Sequence, residues 1–314
     1  MKKCVVGMLM IVAMLMNITQ GYAEEMKEKD GKIYLENADG VGITREEYNK
    51  LRANYSENEI AKMDYSELMN LQDGDMKIVD KQTLYVKTDY YKDKTGQIRT
   101  EETIISPDKV EQELAKINNR LFADKRDAIS LQAVGDDYHR DFRQTAMKEM
   151  RMKTMKNSAG TAYTVTLQNT WRSMPAVRSL DVTAIRFGAV NGLTVYKAEE
   201  TYAHQIWNGN VIKYSSTSDK FHYNTSGSAN GKAGVGVTMN LKDDASSLTC
   251  YLQVRYSASA LYAYSIYGAY EHATAAVSDT SYTFSPTGMG GVIEFKKNAG
   301  IYDNTTGLSV LADR

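Results

Sequence analysis

The side chains that most often carry chemistry are few here, and none sits at a spacing that builds a site by itself. The histidines are His139, His204, His222 and His272. There is no HExxH, no His-x-His and no CxxC. A zinc centre would have to be assembled from residues distant in sequence. Asp73-Gly74-Asp75 lacks the loop length of an EF-hand. The stretch GSANGKAG approaches a phosphate-cradling loop. However, three residues rather than four separate Gly227 from Gly231, and Ala233 follows Lys232 where a magnesium-binding hydroxyl is needed. Ser106-x-x-Lys109 opens a helix, while KTG at 94–96 and SAN at 228–230 imitate the other elements of a serine acyl-transfer site. Their order is wrong and KTG falls in a turn, so acyl transfer is set aside, and no G-x-S-x-G elbow exists. Cys250 lies on the apolar side of the alternating run SSLTCYLQV and reads as a small buried hydrophobe rather than a nucleophile. No catalytic residue, metal ligand or cofactor is assigned.

Aromatic residues give the remaining signal. In LYAYSIYGAY, residues 261–270, the even positions are Tyr262, Tyr264, Ile266, Gly268 and Tyr270, and the odd positions are mostly small. In a strand these sets lie on opposite sides of a sheet. A bulky tyrosine face suits the rim of a core, where the ring is buried and the hydroxyl finds a partner. It also suits stacking on sugars. Packing ranks first. Tyr262, Tyr264 and Tyr270, with Trp207 in the turn-like HQIWNGNV, are kept as a candidate ligand surface for a glycan or a cell-envelope component. Trp171 shares the phase of Val165, Leu167 and Asn169, which predicts that it plugs the end of a core.

These residues must be placed by a chain of 314 residues with a formal net charge of −1, so bulk electrostatics give no case for a nucleic-acid partner. The opening MKKCVVGMLMIVAMLMNITQGYA has a basic start, an apolar run shorter than the roughly 18 residues of a spanning helix, and small residues at 21 and 23. This predicts a secretory signal peptide over 1–23, cleaved after Ala23, and an extracellular protein without a lipid or sorting-signal anchor. Cys250 is then the single remaining cysteine, so no internal disulfide is expected.

Residues 24–74 read as a small helical module. Thr44-x-x-Glu47 and Ser56-x-x-Glu59 are capping boxes, and Asp64-x-x-Glu67 repeats the spacing. Residues 75–160 read as a β-hairpin, a helix opened by Ser106-Pro107 with an apolar stripe at Val110, Leu114, Ile117 and Leu121, and a further Met-rich basic helix over 138–160. Such a helix could lie on an anionic membrane, but a solvated linker helix is favoured. From 161 to 314 about ten short alternating runs separated by Gly, Asn, Asp and Ser predict a β-sandwich. The fold class is α+β: an N-terminal short-helix and hairpin region followed by an antiparallel β-sandwich.

The stretches LQNTWRSMPAVRSLDVTAIRFG and YGAYEHATAAVSDTSYTFSPTGMGGVIEFKKNAGIYDNTTGLSV resemble a group of secreted proteins of Gram-positive bacteria that have no assigned activity. The resemblance implies export and bacterial origin and transfers no site residue.

Three functions follow as expectations. The first is a non-enzymatic binding or envelope-associated protein. The second is a membrane-active toxin whose hairpin carries Val235, Val237, Met239 and Leu241 against Leu248, Cys250, Leu252 and Val254. The third is a secreted hydrolase with a site built from distant acidic residues.

Overall fold

The computed structural model describes residues 27–29, 32–34, 42–53, 55–61, 63, 65, 67–68, 76–92, 95–96, 98–127, 144–175, 177–188, 196–208, 210–224, 234–241, 248–258, 264–284, 293–297, 299–303 and 307–312. The chain forms two compact units, Met1–Gly74 and Asp75–Arg314. The predicted signal peptide lies outside the described residues, as does Asp64.

In the first unit, β1 (Lys27–Lys29), β2 (Lys32–Tyr34) and β3 (Gly42–Thr44) form an antiparallel sheet. Helices α1 (Arg45–Arg52) and α2 (Glu57–Ala61) follow, and Tyr65, Glu67 and Leu68 are also helical. The Glu47 N–H donates to Thr44 Oγ1 at 3.2 Å and the Thr44 N–H to Glu47 Oε2 at 2.6 Å, so both members of the predicted capping box are made. Ser56 and Glu59 repeat it at 2.7 and 3.3 Å. Tyr48, Leu51, Ile60, Met63 and Leu68 are buried.

The second unit is an antiparallel β-sandwich. One sheet holds seven strands in the order β10-β9-β13-β7-β6-β4-β5 and the other five in the order β11-β12-β8-β14-β17. The seven-stranded sheet comprises β4 (Met76–Lys92), β5 (Ile98–Ile105), β6 (Gln144–Asn157), β7 (Ala162–Ser173), β9 (Tyr196–Trp207), β10 (Asn210–Tyr214) and β13 (Leu248–Ala258). The five-stranded sheet comprises β8 (Leu180–Phe187), β11 (Phe221–Asn224), β12 (Gly234–Asn240), β14 (Tyr264–Glu271) and β17 (Leu308–Ala312). Alternation fixes which side chains meet: Val165, Leu167 and Trp171 stand directly opposite Val254, Leu252 and Leu248, all facing inward. They enclose one core with Ile185, Phe187, Val235, Val237, Ile266 and Val310 of the other sheet. Full burial of each such side chain contributes about 1.5–3 kcal/mol. At Gly268 the sheets come so close that a Cβ would lie 3.0 Å from Met152 Sδ and 3.1 Å from Leu167. A short hairpin of β15 (Tyr282–Phe284) and β16 (Ile293–Phe295) packs with Val182, Ala184 and Ala269 on the opposite face of the five-stranded sheet. Helix α3 (Val110–Asp127) follows a 3-10 turn at Pro107–Lys109. Its Val110, Leu114 and Ile117 are buried with Met147; the side chain of Leu121 lies outside the description.

Three expectations change. The Met-rich segment expected to be a helix is strand β6 from Gln144 onward, paired with β4 on one side and β7 on the other. Met, Lys, Glu and Arg each favour helix, but propensity is a weak prior that a central sheet position overrides. Both faces of β6 are covered: Ala146, Met150 and Met152 enter the main core and Met147 packs with α3. Second, 160/161 is not a domain boundary. Asn157 and Gly160 make the turn of the β6–β7 hairpin, with Asn157 Oδ1 accepting the N–H groups of Thr161 and Ala162 at 2.9 and 3.0 Å and Gly160 at φ 66°. Third, β12 and β13 are not a hairpin. The first pairs with β8 and β11, the second with β7 and β9, and their apolar faces meet across the core. That removes the structural basis of the toxin reading. Among the described residues no helix is long and apolar enough to cross a membrane.

Candidate functional site

The residues of most chemical capacity in the second unit meet inside the sandwich. Alternation delivers them. Asp181 holds the inward phase of Thr183, Ile185 and Phe187 on β8; Tyr270 continues that of Ile266 on β14, and His272 lies just beyond it. From the facing sheet come Trp171 on β7, Lys148 opposite it on β6, and Thr88 and Tyr90 on β4, with Glu102 opposite Thr88 on β5. Asp303 arrives on the segment before β17, where its N–H donates to the His272 carbonyl at 2.9 Å.

Two linked groups result. In the first, Asp181 is the acceptor. The Tyr270 hydroxyl donates to Asp181 Oδ2, and the Trp171 Nε1–H donates to Tyr270 Oη at 2.9 Å. Asp181 Oδ1 lies 2.8 Å from His272 Nδ1 and also accepts the Ala273 N–H at 3.4 Å. A carboxylate on Nδ1 fixes the tautomer and orientation of the imidazole. The rings of Trp171 and Tyr90 close on His272 edge-on, with centroids at 5.0 and 6.2 Å.

In the second group, Lys148 Nζ lies 2.8 Å from Asp303 Oδ2 and 3.3 Å from Glu102 Oε1. Asp303 Oδ1 accepts the His272 N–H at 2.7 Å, which joins the two groups. Trp171 and Tyr270 present their rings to the ammonium at 5.7 and 5.6 Å, within cation–π range. The side chains of Lys148, Asp303, Asp181 and His272 are all 0% exposed.

Burial governs the protonation of these groups. Burial pushes Lys148 down, but Asp303 and Glu102 together outweigh it, so its pKa is raised. Tyr270 is held well above the ordinary phenol value, first by burial and then by Asp181. Tyr90 is raised by burial and by Asp303. Cys250, also in the core, is pushed up to about 12 by burial. An Asp–His pair can serve a nucleophile as base, and Lys–Glu–Asp can move protons. Here the Asp181–His272 pair and the Lys148–Asp303 contact are enclosed by the core and act on each other, while Glu102, 14% exposed, lies at its edge. Among the described residues no group of His, Cys, Asp and Glu could hold a metal ion.

The candidate surface residues fall elsewhere. Tyr270 belongs to the interior, 0% exposed, so it offers no face to a ligand. Tyr264 stands opposite Ala312 on β14, with its side chain outside the description, and Tyr262 lies outside the described residues. Trp207 is half-buried and packs against the main core. Trp171 is enclosed by that core, as its phase predicts. His204 lies on β9 opposite Lys213, its pKa lowered to about 4 by burial and by that lysine. His222 packs edge-on against Tyr282, and His139 lies outside the described residues. Asp181, Lys148, Asp303 and Glu102 were not singled out from sequence. The readable signal was a charged residue in the inward phase of a strand, present for Asp181 in SLDVTAIRF and hidden for Lys148 by the helical reading of its segment.

No protein-family model matches the chain, and no curated protein sequence matches it. Among solved structures it is similar to the collagen-binding domain of a Staphylococcus aureus adhesin, at 6% identity over 49% of this chain and 89% of that one, TM-score 0.29. It is similar too to the collagen-binding domain of Erysipelothrix rhusiopathiae surface protein RspB, at 10% identity over 54% and 63%, TM-score 0.27. A third is the KRT10-binding region domain of the pneumococcal serine-rich repeat protein PsrP, at 12% identity over 58% and 92%, TM-score 0.26. Likeness at these scores carries no argument about residues, ligand or activity.

Proposed function

We propose that the chain is an exported bacterial protein that works outside the cell as a non-enzymatic binding or envelope-associated protein, with the sandwich as its rigid scaffold. One observation carries this reading: the side chains with the greatest chemical capacity, Lys148, Asp303, Asp181 and His272, are fully enclosed and bonded to one another. Their chemistry is directed at joining the two sheets, and binding is left to the outer surfaces. The opening sequence supports export, and the resemblance to secreted Gram-positive proteins supports the compartment. The partner is an extracellular or envelope component.

The test is retention of the folded full chain on cell-wall material, on immobilised extracellular-matrix proteins and on a glycan array. Saturable binding to one class is expected. No binding across all three, from a sample with cooperative unfolding, refutes the reading. Turnover of a carbohydrate or peptide substrate that is abolished by Asp181→Asn would replace it with the hydrolase.

A further inference from the structure

Lys148 and Asp303 are arranged for more than an ion pair. An amine nitrogen and a carboxylate oxygen stand at 2.8 Å, so the carboxyl carbon is one bond beyond the contact. A second carboxylate, that of Glu102, touches the same nitrogen at 3.3 Å, one more than charge balance requires. The other oxygen of Asp303 is held by the His272 backbone N–H at 2.7 Å, where negative charge would gather if the carbon were attacked. The side chains of Lys148 and Asp303 are 0% exposed, under the rings of Trp171 and Tyr270, so water is kept from the pair.

We infer that Lys148 and Asp303 condense within the folded chain into an intramolecular amide that covalently joins strand β6 of one sheet to the segment leading into β17 of the other. The Lys148 ammonium passes a proton to Glu102, and the freed lone pair attacks Asp303 Cγ, forming the Nζ–Cγ bond. Charge builds on Oδ1 against the His272 N–H. Glu102 delivers the proton to Oδ2, a second proton leaves nitrogen by the same route, and the Cγ–Oδ2 bond breaks. One ammonium and one carboxylate become one amide and one water. Glu102 ends as it began, and no oxidant, reductant or activated donor is needed. Two conditions favour the forward direction. Groups held at contact distance react at effective concentrations of about 10⁵–10⁸ M. Converting two buried charges to a neutral amide also removes the desolvation penalty of keeping both out of water. The raised pKa of Lys148 sets the order of events, since the ammonium must first give its proton to a neighbouring carboxylate.

The experiment is proteolysis of the purified, folded full chain followed by tandem mass spectrometry. The expected product is a branched peptide pair, with Lys148 in one arm and Asp303 in the other, lighter than the sum of its arms by one water. Lys148→Arg and Asp303→Ala should lack it entirely. Glu102→Gln should reduce its yield at least tenfold while keeping the far-UV circular dichroism of the parent. If the first two variants do not fold, the parent digest and Glu102→Gln decide the matter. Separate, unmodified Lys148 and Asp303 peptides from the folded parent overturn the inference, as does a water loss that maps to another pair. A Glu102→Gln protein that cross-links as fast as the parent overturns the proton-shuttle assignment.

Discussion

Removing the Trp171 side chain should be the most damaging of the tryptophan truncations, and its cost can be assembled from its contacts. The ring is 4% exposed and fills the core beside Tyr270 and His272, with centroids at 6.0 and 5.0 Å. Truncation of a buried tryptophan to alanine costs about 3–5 kcal/mol in transfer and cavity terms. The Tyr270 hydroxyl would also lose the Nε1–H that it accepts at 2.9 Å, worth about 0.5–1.5 kcal/mol. Trp171→Ala should therefore cost about 3.5–6.5 kcal/mol, a large part of the 5–15 kcal/mol that typically holds a domain together. Trp171→Phe keeps most of the volume and should cost about 1–2 kcal/mol, chiefly for the lost N–H. Trp207 is half-buried at the margin of the same core, so Trp207→Ala should cost about 1–3 kcal/mol. Urea unfolding followed by far-UV circular dichroism gives the ranking from midpoints and slopes. A Trp207→Ala midpoint at or below that of Trp171→Ala would refute the inward phase of β7 and the network built on it.

Three further outcomes follow from the geometry. Cys250, pushed up to about 12 in the fold from an unfolded value near 8.5, should resist alkylation at pH 8 until urea unfolds the chain. The unfolded thiol ionises first, so stability should fall between pH 8.5 and about 12, and Cys250→Ala should flatten that fall. His204, lowered to about 4 by burial and Lys213, binds its proton in the unfolded chain before the folded one; stability should therefore decline as pH drops from about 6.5 toward 4. NMR titration of its ring proton should give the low midpoint, and His204→Gln should remove its share of the decline. A Cβ at Gly236 would lie 2.5 Å from Tyr282 Oη, so Gly236→Ala should lower the melting temperature by overpacking worth about 1–3 kcal/mol. Adding Tyr282→Phe should restore part of that loss, and no restoration would mean that the hairpin packs otherwise.

Local rules reached part of this structure. The capping boxes at Thr44 and Ser56, the hairpin of β4 and β5, the Pro107 helix start and the inward phase of Trp171 all depend on residues within a few positions of each other. Strand phase is a period-two signal that needs no partner. The Met-rich strand β6 defeated the same logic, because its side chains favour helix in isolation and only sheet neighbours on both edges make it a strand. Adjacent alternating runs, β12 and β13, look like a hairpin until their partners in separate sheets are known. The polar cluster was beyond reach for a third reason. Lys148 and Asp303 stand 155 positions apart and Asp181 and His272 stand 91 apart, so no spacing rule joins them.

That separation sets the order in which the molecule can be completed. Strands of the two sheets alternate along the chain: β7 belongs to one, β8 to the other, β9 and β10 to the first, β11 and β12 to the second. A ribosome delivers the residues from the N-terminal end, so Lys148 emerges with its neighbours on β6 and β7 long before Asp303 exists as a partner. During that interval the lysine has only Glu102 of its two carboxylates within reach, and the half-built interior remains open to water. Contacts of such long range close slowly. The segment carrying Asp303 thus acts as a latch: a chain halted before that residue should remain loose and protease-sensitive along its sandwich, and only one that extends past it can shut.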